Sequence, residues 1–285
     1  MTVPSGIVTL LTDFGHRDPF VGMVKGVILG RFPAARIVDL THEIPPYDVR
    51  AGAYWLARSY AGFPAGTVHV AVVDPGVGTS RAVVVAEARD QWLVVPDNGL
   101  CAELAARDGL VSVHAIDRVA CRLGEPSRTF HGRDLLAPVA AMLASGALSP
   151  EAVGPATRLE GPRWERAVAR PDGIEGRVIV RDRFGNLLTD VPAEAVERLA
   201  NEPGPVPGQD PSQAGPWVWI GDRAVPWRRT YADVTVGALV ALDNAHGDLE
   251  IAAREGNAAE LLGAGPGTPV RVRRAAWSPD RSGGW

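Results

Sequence analysis

Between residues 68 and 73, Val68, Val70, Val72 and Val73 make a short, almost unbroken apolar run that Asp74 ends. Such a run suits a strand covered on both faces. Pro75, Gly76 and Gly78 then force an irregular turn. A carboxylate at the carboxyl end of a buried parallel strand stands where open α/β sheets bind their ligands. Arg81 follows seven residues later and leads into a second apolar run, residues 82–86. Taken alone, Asp74 reads as a turn-former and Arg81 as a surface residue. Repetition changes the weighing. Residues 7–11 lead into Asp13, residues 92–95 lead into Asp97, and His131 lies on a loop after another strand-like run. In a parallel sheet these ends share one edge, so the four side chains are expected to line one crevice.

Helical spacing appears between the strand-like runs: over residues 20–31, after the N-cap candidate Asp48, over residues 100–106 and over residues 135–143. Strand alternating with helix predicts an α/β N-terminal domain, residues 1–160, with a mostly parallel layered sheet. Residues 161–175, rich in Pro, Gly and Arg, read as a linker. Short strands then recur at 177–181, 187–191, 217–220, 238–242, 249–252 and 270–272, which predicts a C-terminal all-β, barrel-like domain over residues 176–277. Residues 201–216 read as a flexible loop, and 278–285 as a flexible tail.

A formal net charge of -4 gives no basic field for nucleic acid. No apolar segment approaches the roughly 20 residues of a membrane helix, and the N-terminus does not read as a signal peptide. A cytoplasmic enzyme is the expectation. Cys101 and Cys121 lie in no CxxC pair and near no His cluster, so no metal site is expected. His16, His42, His69, His114 and His246 also form no cluster; they read as loop or satisfied core residues, with His42 shaping the turn before Pro45 and Pro46. Neither the GxGxxG fingerprint nor a Walker phosphate loop is present.

Seven segments resemble one family in the family's order: LLTDFG (10–15), DLTHEIPPYDV (39–49), VVDPGVGTSR (72–81), VPDNGL (95–100), TFHGRD (129–134), DRFGNLLT (182–189) and AREGNAAELLG (253–263). The family is the adenosine-forming S-adenosyl-L-methionine (SAM) hydrolases, or SAM hydroxide adenosyltransferases, relatives of the fluorinating and chlorinating enzymes that act on SAM. The resemblance implies an α/β domain, a C-terminal β-barrel, and a homotrimer with active sites between subunits. It also implies a reaction without metal or organic cofactor, in which SAM is the substrate and adenosine and L-methionine are the products.

The chemistry is consistent with that implication. Methionine leaves C5′ of the ribose of a sulfonium as a neutral thioether and needs no acid. The nucleophile is what is scarce at neutral pH, because bulk water has a pKa of about 15.7. The family's catalytic Asp, Arg and His match Asp74, Arg81 and His131. Arg81 is expected to stabilise the developing hydroxide, His131 to take or relay the proton, and Asp74 to fix the orientation and charge of both. Among binding positions, Asp13 resembles the carboxylate that accepts both ribose hydroxyls. Asp18 and Tyr47 match further pocket positions. Asp182 and Asn186 resemble the residues that hold the amino and carboxylate ends of methionine, with Phe184 close by; without the resemblance, Asp182 and RFGN read as a β-turn. The segment of Ala253, Arg254 and Glu255 matches one that reads the adenine edge through its backbone.

The chain departs from the family at Ala245-His246, where a Ser-Ser pair is common before the glycine, and in a longer 201–216 loop. Two rival functions stand beside hydrolysis. An adenosyl halogenase would use chloride or fluoride, but those relatives carry Tyr at the position of Asp74, and the fluorinases carry a long insertion between the positions of Arg81 and Asp97. A non-catalytic SAM or adenosine sensor would keep the pocket without turnover.

Overall fold

The computed structural model describes residues 2–201 and 216–273. The chain divides into two compact units, one ending at Trp164 and one beginning at Glu165. The expected 201–216 loop, apart from its ends, and the 278–285 tail lie outside the described residues.

In the first unit the apolar runs form β1 (Ile7–Thr12), β2 (Arg36–Thr41), β3 (Val68–Val72), β4 (Val83–Ala88), β5 (Gln91–Pro96) and β6 (Ser112–Ala115). Their order in one sheet is β2-β1-β3-β5-β4-β6. The pairings β1/β2, β1/β3 and β3/β5 are parallel, whereas β4 runs antiparallel to both β5 and β6. The sheet is therefore mixed: the expected parallel pairing holds for three of the five strand pairs, and β4 alone runs against the rest. The reason is the turn between β4 and β5: Arg89 and Asp90 take φ of 49° and 59°, the left-handed pair that a tight hairpin requires. No helix can fit between strands joined by two residues.

Helices α1 (Phe20–Arg31), α2 (Val49–Ser59), α3 (Ala102–Asp108) and α4 (Ala137–Ser145) cover the sheet. Asp48 caps α2 by accepting from the Ala51 N–H at 2.9 Å. The α1–α4 face buries Val8, Leu10, Val70, Val94, Ile28 and Val139. Each such side chain contributes about 1.5–3 kcal/mol of transfer free energy. The alternate residues of β1 and β3 face the other way, where Thr9 Oγ1 meets His69 Nδ1 at 2.7 Å and His69 Nε2 meets Gln91 Oε1 at 2.6 Å. His69 is a satisfied core residue, as read from the sequence.

The second unit is antiparallel: β7 (Val168–Arg170), β8 (Gly173–Arg181), β9 (Leu187–Pro192), β10 (Trp217–Ile220), β11 (Arg223–Pro226), β12 (Leu239–Asp243), β13 (Asp248–Ala253) and β14 (Pro269–Arg273). Their order is β11-β10-β14-β8-β9-β13-β12, with β7 paired to β8. Trp227, just past β11, bridges Ala241 of β12, so the two ends of the sheet approach closure as a barrel. Ile174, Val178, Leu187, Val218, Leu249 and Ile251 fill it. Two helices that the strand pattern concealed, α5 (Ala193–Asn201) and α6 (Ala258–Leu262), belong to this unit. Residues 161–175, read as linker, contain β7 and the start of β8.

Candidate active site

β3 delivers Asp74 two residues beyond its end, and two successive turns then fold the chain back. The Val77 N–H donates to the Asp74 carbonyl at 3.2 Å, and the Thr79 N–H donates to the Gly76 carbonyl at 3.2 Å. Gly78 is indispensable here: its φ is 81°, and a Cβ on it would stand 2.4 Å from the Arg128 carbonyl oxygen. This close approach lays the 74–81 loop against the loop that carries His131.

The return brings Arg81 onto Asp74. Arg81 Nε donates to Asp74 Oδ1 at 2.7 Å, and Nη2 donates to Oδ2, making a two-pronged pair. Both side chains are largely buried. Nη2 also lies 3.2 Å from His131 Nδ1. A guanidinium only donates, so Nδ1 accepts and the neutral imidazole carries its hydrogen on Nε2. Burial, and next the Arg81 charge, hold the His131 pKa below the ordinary imidazole value; Asp74, Asp134 and the Ser127 carbonyl oppose them. Arg81 Nη1 is buried without a hydrogen-bond partner among the described residues.

Asp13 follows β1 at the same sheet edge. Its Oδ2 accepts from the Tyr47 N–H at 2.9 Å. Burial pushes its carboxyl pKa up, the Tyr47 amide opposes this, and the Asp74 charge adds a smaller upward push. Tyr47 has a left-handed φ of 68° and a side chain left largely exposed. Non-glycine residues held in that region are concentrated at functional sites. Buried Thr12 and His42 brace the turn beneath: Thr12 Oγ1 lies 2.9 Å from His42 Nδ1, and the His42 carbonyl accepts from the Gly15 N–H at 2.8 Å.

A cleft of about 740 Å³ opens here; Asp13, Tyr47, Asp74 and His131 line it, while Arg81 is not a lining residue and meets it through Asp74 and His131. Its apolar wall comes from Phe14, Phe20 and Phe130, whose ring centroids lie 5.4–5.9 Å apart. Phe130 belongs to the TFHGRD motif but carries no charge or nucleophile, so composition alone did not mark it; the TDFG motif likewise hides Phe14 behind Asp13.

Not every strand-end residue joins the cleft. Asp97 accepts from the backbone N–H groups of Glu160 at 2.8 Å and Gly161 at 3.0 Å, so both its oxygens anchor the end of the unit instead of facing the site. Asp18 is exposed and is not among the lining residues.

In the second unit Asp182 accepts from Phe184 N–H at 2.9 Å, Asn186 N–H at 2.8 Å and Asn186 Nδ2 at 3.0 Å. Segment 182–186 is thus a tight turn, with Asn186 buried and Phe184 exposed. Gly185, at φ 85°, admits the Asn257 side chain where a Cβ would collide with it. Ala253 ends β13, Arg254 donates to the Val234 carbonyl at 2.9 Å, and Glu255 has a left-handed φ of 52°. The sequence did not mark Glu250, a buried carboxylate on β13 that accepts from Tyr231 Oη–H at 2.7 Å. Burial pushes its pKa up, the Tyr231 hydrogen bond opposes this, and the Asp182 charge adds to the rise. No group of three or more His, Cys, Asp or Glu residues suited to a metal ion occurs among the described residues.

Two family models match the chain, one in each unit. The SAM hydroxide adenosyltransferase N-terminal domain covers residues 8–154 and its C-terminal domain covers residues 176–271. The chain belongs to the SAM hydroxide adenosyltransferase family. Among its relatives, an (R)-S-adenosyl-L-methionine hydrolase of Thermus thermophilus is 40% identical over 93% of this chain and 98% of its own. Another of that name, from Salinispora tropica, is 38% identical over 94% of this chain and 98% of its own. A fluorinase of an Actinoplanes species is 27% identical over 67% of this chain and 74% of its own. A crystal structure of an uncharacterised conserved protein of Thermotoga maritima superposes with a TM-score of 0.84 at 34% identity, covering 94% of this chain and all of that one.

Proposed function

We propose that the protein hydrolyses SAM to adenosine and L-methionine by attack of water at C5′ of the ribose. The new O–C5′ bond forms as the C5′–S bond breaks; the electron pair goes to sulfur, which leaves as a neutral thioether, and the proton lost by the attacking water passes to solvent. The observation that carries this reading is Arg81: a guanidinium neutralised by Asp74 and touching a neutral His131, with one buried N–H group, Nη1, still unpartnered. Such a preorganised donor favours an oxygen nucleophile that becomes more anionic as its proton departs. Asp74 supplies a fixed negative charge that disfavours a halide in the same place.

The geometry supports a division of roles different from the one expected from the resemblance. His131 Nδ1 is already an acceptor for Arg81, so the imidazole holds the guanidinium in place. We assign it that role rather than proton abstraction. Asp13 receives the ribose hydroxyls, with the three phenylalanines and Tyr47 bordering the nucleoside, and Asp18 acts from the loop beyond. Asp182, Phe184 and Asn186 hold the methionine end, and the backbone of Ala253, Arg254 and Glu255 reads adenine. A neutral leaving group requires neither metal nor organic cofactor. The working form is a cytoplasmic homotrimer. No helix among the described residues is long and apolar enough to cross a membrane.

The test is incubation with SAM in halide-free buffer made with ¹⁸O water. Adenosine labelled at its 5′ oxygen, with unlabelled methionine, is expected. Intact SAM supports a sensor instead, and 5′-chloro-5′-deoxyadenosine formed on adding chloride supports a halogenase.

A further inference from the structure

The loop that carries His131 is closed by a carboxylate without a role in the chemistry above. Asp134 Oδ2 accepts from the Ser127 N–H at 2.9 Å. The same carboxylate takes Arg133 Nε on Oδ1 at 2.6 Å and Arg133 Nη2 on Oδ2 at 3.0 Å. Ser127 Oγ in turn accepts from the Phe130 N–H at 3.2 Å. The Phe130 carbonyl accepts from the N–H groups of Arg133 and Asp134, each at 3.1 Å. The Arg133 guanidinium stands 5.1 Å over the Phe130 ring. His131 sits inside this closed loop and is followed at once by a π-helical turn, Gly132–Leu136, a device frequent at functional sites.

We propose that Asp134 is a positioning residue: by gripping the Ser127 amide and the Arg133 guanidinium, it fixes the His131 imidazole against Arg81. The proposal rests on placing His131 in the hydrolytic site. Two features favour it over simple loop closure. Ser127 and His131 line the same cleft, so loosening the Ser127 end moves a wall of the site beside the imidazole. Asp134 also acts on His131 through its charge. Arg133 and the Ser127 amide hold its carboxyl down at about 2, so it is ionised throughout the working range. The charged groups acting on the ring are Arg81 and Asp74 from the 74–81 loop and Asp134 from its own segment, with Arg133 paired to Asp134. Arg81 disfavours imidazolium, and the two carboxylates favour it.

Asp134→Asn keeps an acceptor for Ser127 and removes the charge; Asp134→Ala removes both. NMR titration of the His131 side chain in the full-length, substrate-free protein reads the charge effect without any reference to turnover. The midpoint in Asp134→Asn is expected below that of the wild type. In Asp134→Ala, kcat for SAM is expected to fall about tenfold or more while KM stays within about threefold, because the ring is displaced and the substrate contacts are not. An Asp134→Ala protein that stays folded with a wild-type kcat and an unchanged His131 tautomer, read from the ring ¹⁵N shifts, overturns the proposal; if that variant does not fold, an unchanged midpoint and tautomer in Asp134→Asn, which breaks the two-pronged Arg133 contact, overturns it. A wild-type protein that leaves SAM intact counts against the proposed function, and the titration still decides the role of Asp134.

Discussion

Arg81 engages Asp74 through two nitrogens and touches His131 through one of them, so its shape matters as much as its charge. A lysine at this position keeps the positive charge but has no planar fork, and it cannot hold the carboxylate, the imidazole and an oxygen nucleophile in fixed directions. Arg81→Lys is therefore expected to lower kcat about 10²–10³-fold, the range found when one preorganised donor is removed. KM is expected to change little, because Asp13, the proposed ribose contact, lies on a different loop. Steady-state kinetics with SAM checks this. A rise in KM at constant kcat would place Arg81 in substrate binding and remove it from the chemistry. Asp74 and Arg81 were readable as a pair only because the resemblance supplied the link; their seven-residue separation fits a turn equally well. The three-way contact with His131 and the unpartnered Nη1 depend on how two loops meet, and no local pattern encodes that.

At the level of strands, β1, β3 and β5 were legible from continuous apolar runs, and their parallel pairing does bring Asp13 and Asp74 to one edge. The run that forms β4 was read too, at residues 82–86, but its antiparallel direction was not. Its hairpin uses Arg89-Asp90 where Asn-Gly is the usual signal, so the turn gave no local cue. Asp97 shows the same limit: its strand was found, but its carboxylate is spent on the backbone of residues 160–161, a contact more than sixty residues away. The Thr9–His69–Gln91 row across these strands has a measurable consequence. Burial drives the His69 pKa down to about 4, from the ordinary 6.5, outweighing the Gln91 contact that raises it. Between those values the unfolded chain binds more protons than the folded one. The stability from keeping His69 neutral is thus complete above about pH 6.5 and is lost as pH falls towards 4, amounting to about 2–3 kcal/mol by pH 4.5. Buried His42 acts in the same direction. Urea unfolding at pH 7.0 and 4.5 is expected to show a larger acid loss for wild type than for His69→Gln, each variant compared with itself. Equal losses would show that His69 is not protonated on unfolding in this window.

For the whole molecule, the surface around the cleft is itself informative. Phe20, Met23 and Leu29 on α1, Val38 on the edge strand β2, and Tyr47 all leave large apolar area exposed. Phe20, Met23 and Tyr47 line the cleft, so their exposed apolar area borders the proposed site, while Leu29 and Val38 lie outside it. Contiguous apolar surface at a functional cleft marks a place where another protein surface fits. A symmetric closed assembly of identical chains is the simplest arrangement that covers it in every copy. For the homotrimer proposed above, sedimentation equilibrium of the 285-residue chain is expected to give the mass of three 30.2 kDa chains, about 91 kDa. Leu29→Glu or Val38→Lys places a charge on that surface without altering a cleft-lining residue, and is expected to shift the equilibrium towards monomer by mass action. If the site is shared between copies, the specific activity of these variants will rise with protein concentration and approach the wild-type value where the trimer reforms. A monomeric wild type of full specific activity would show that one chain completes its own site, and the exposed face of α1 and β2 would then need another explanation.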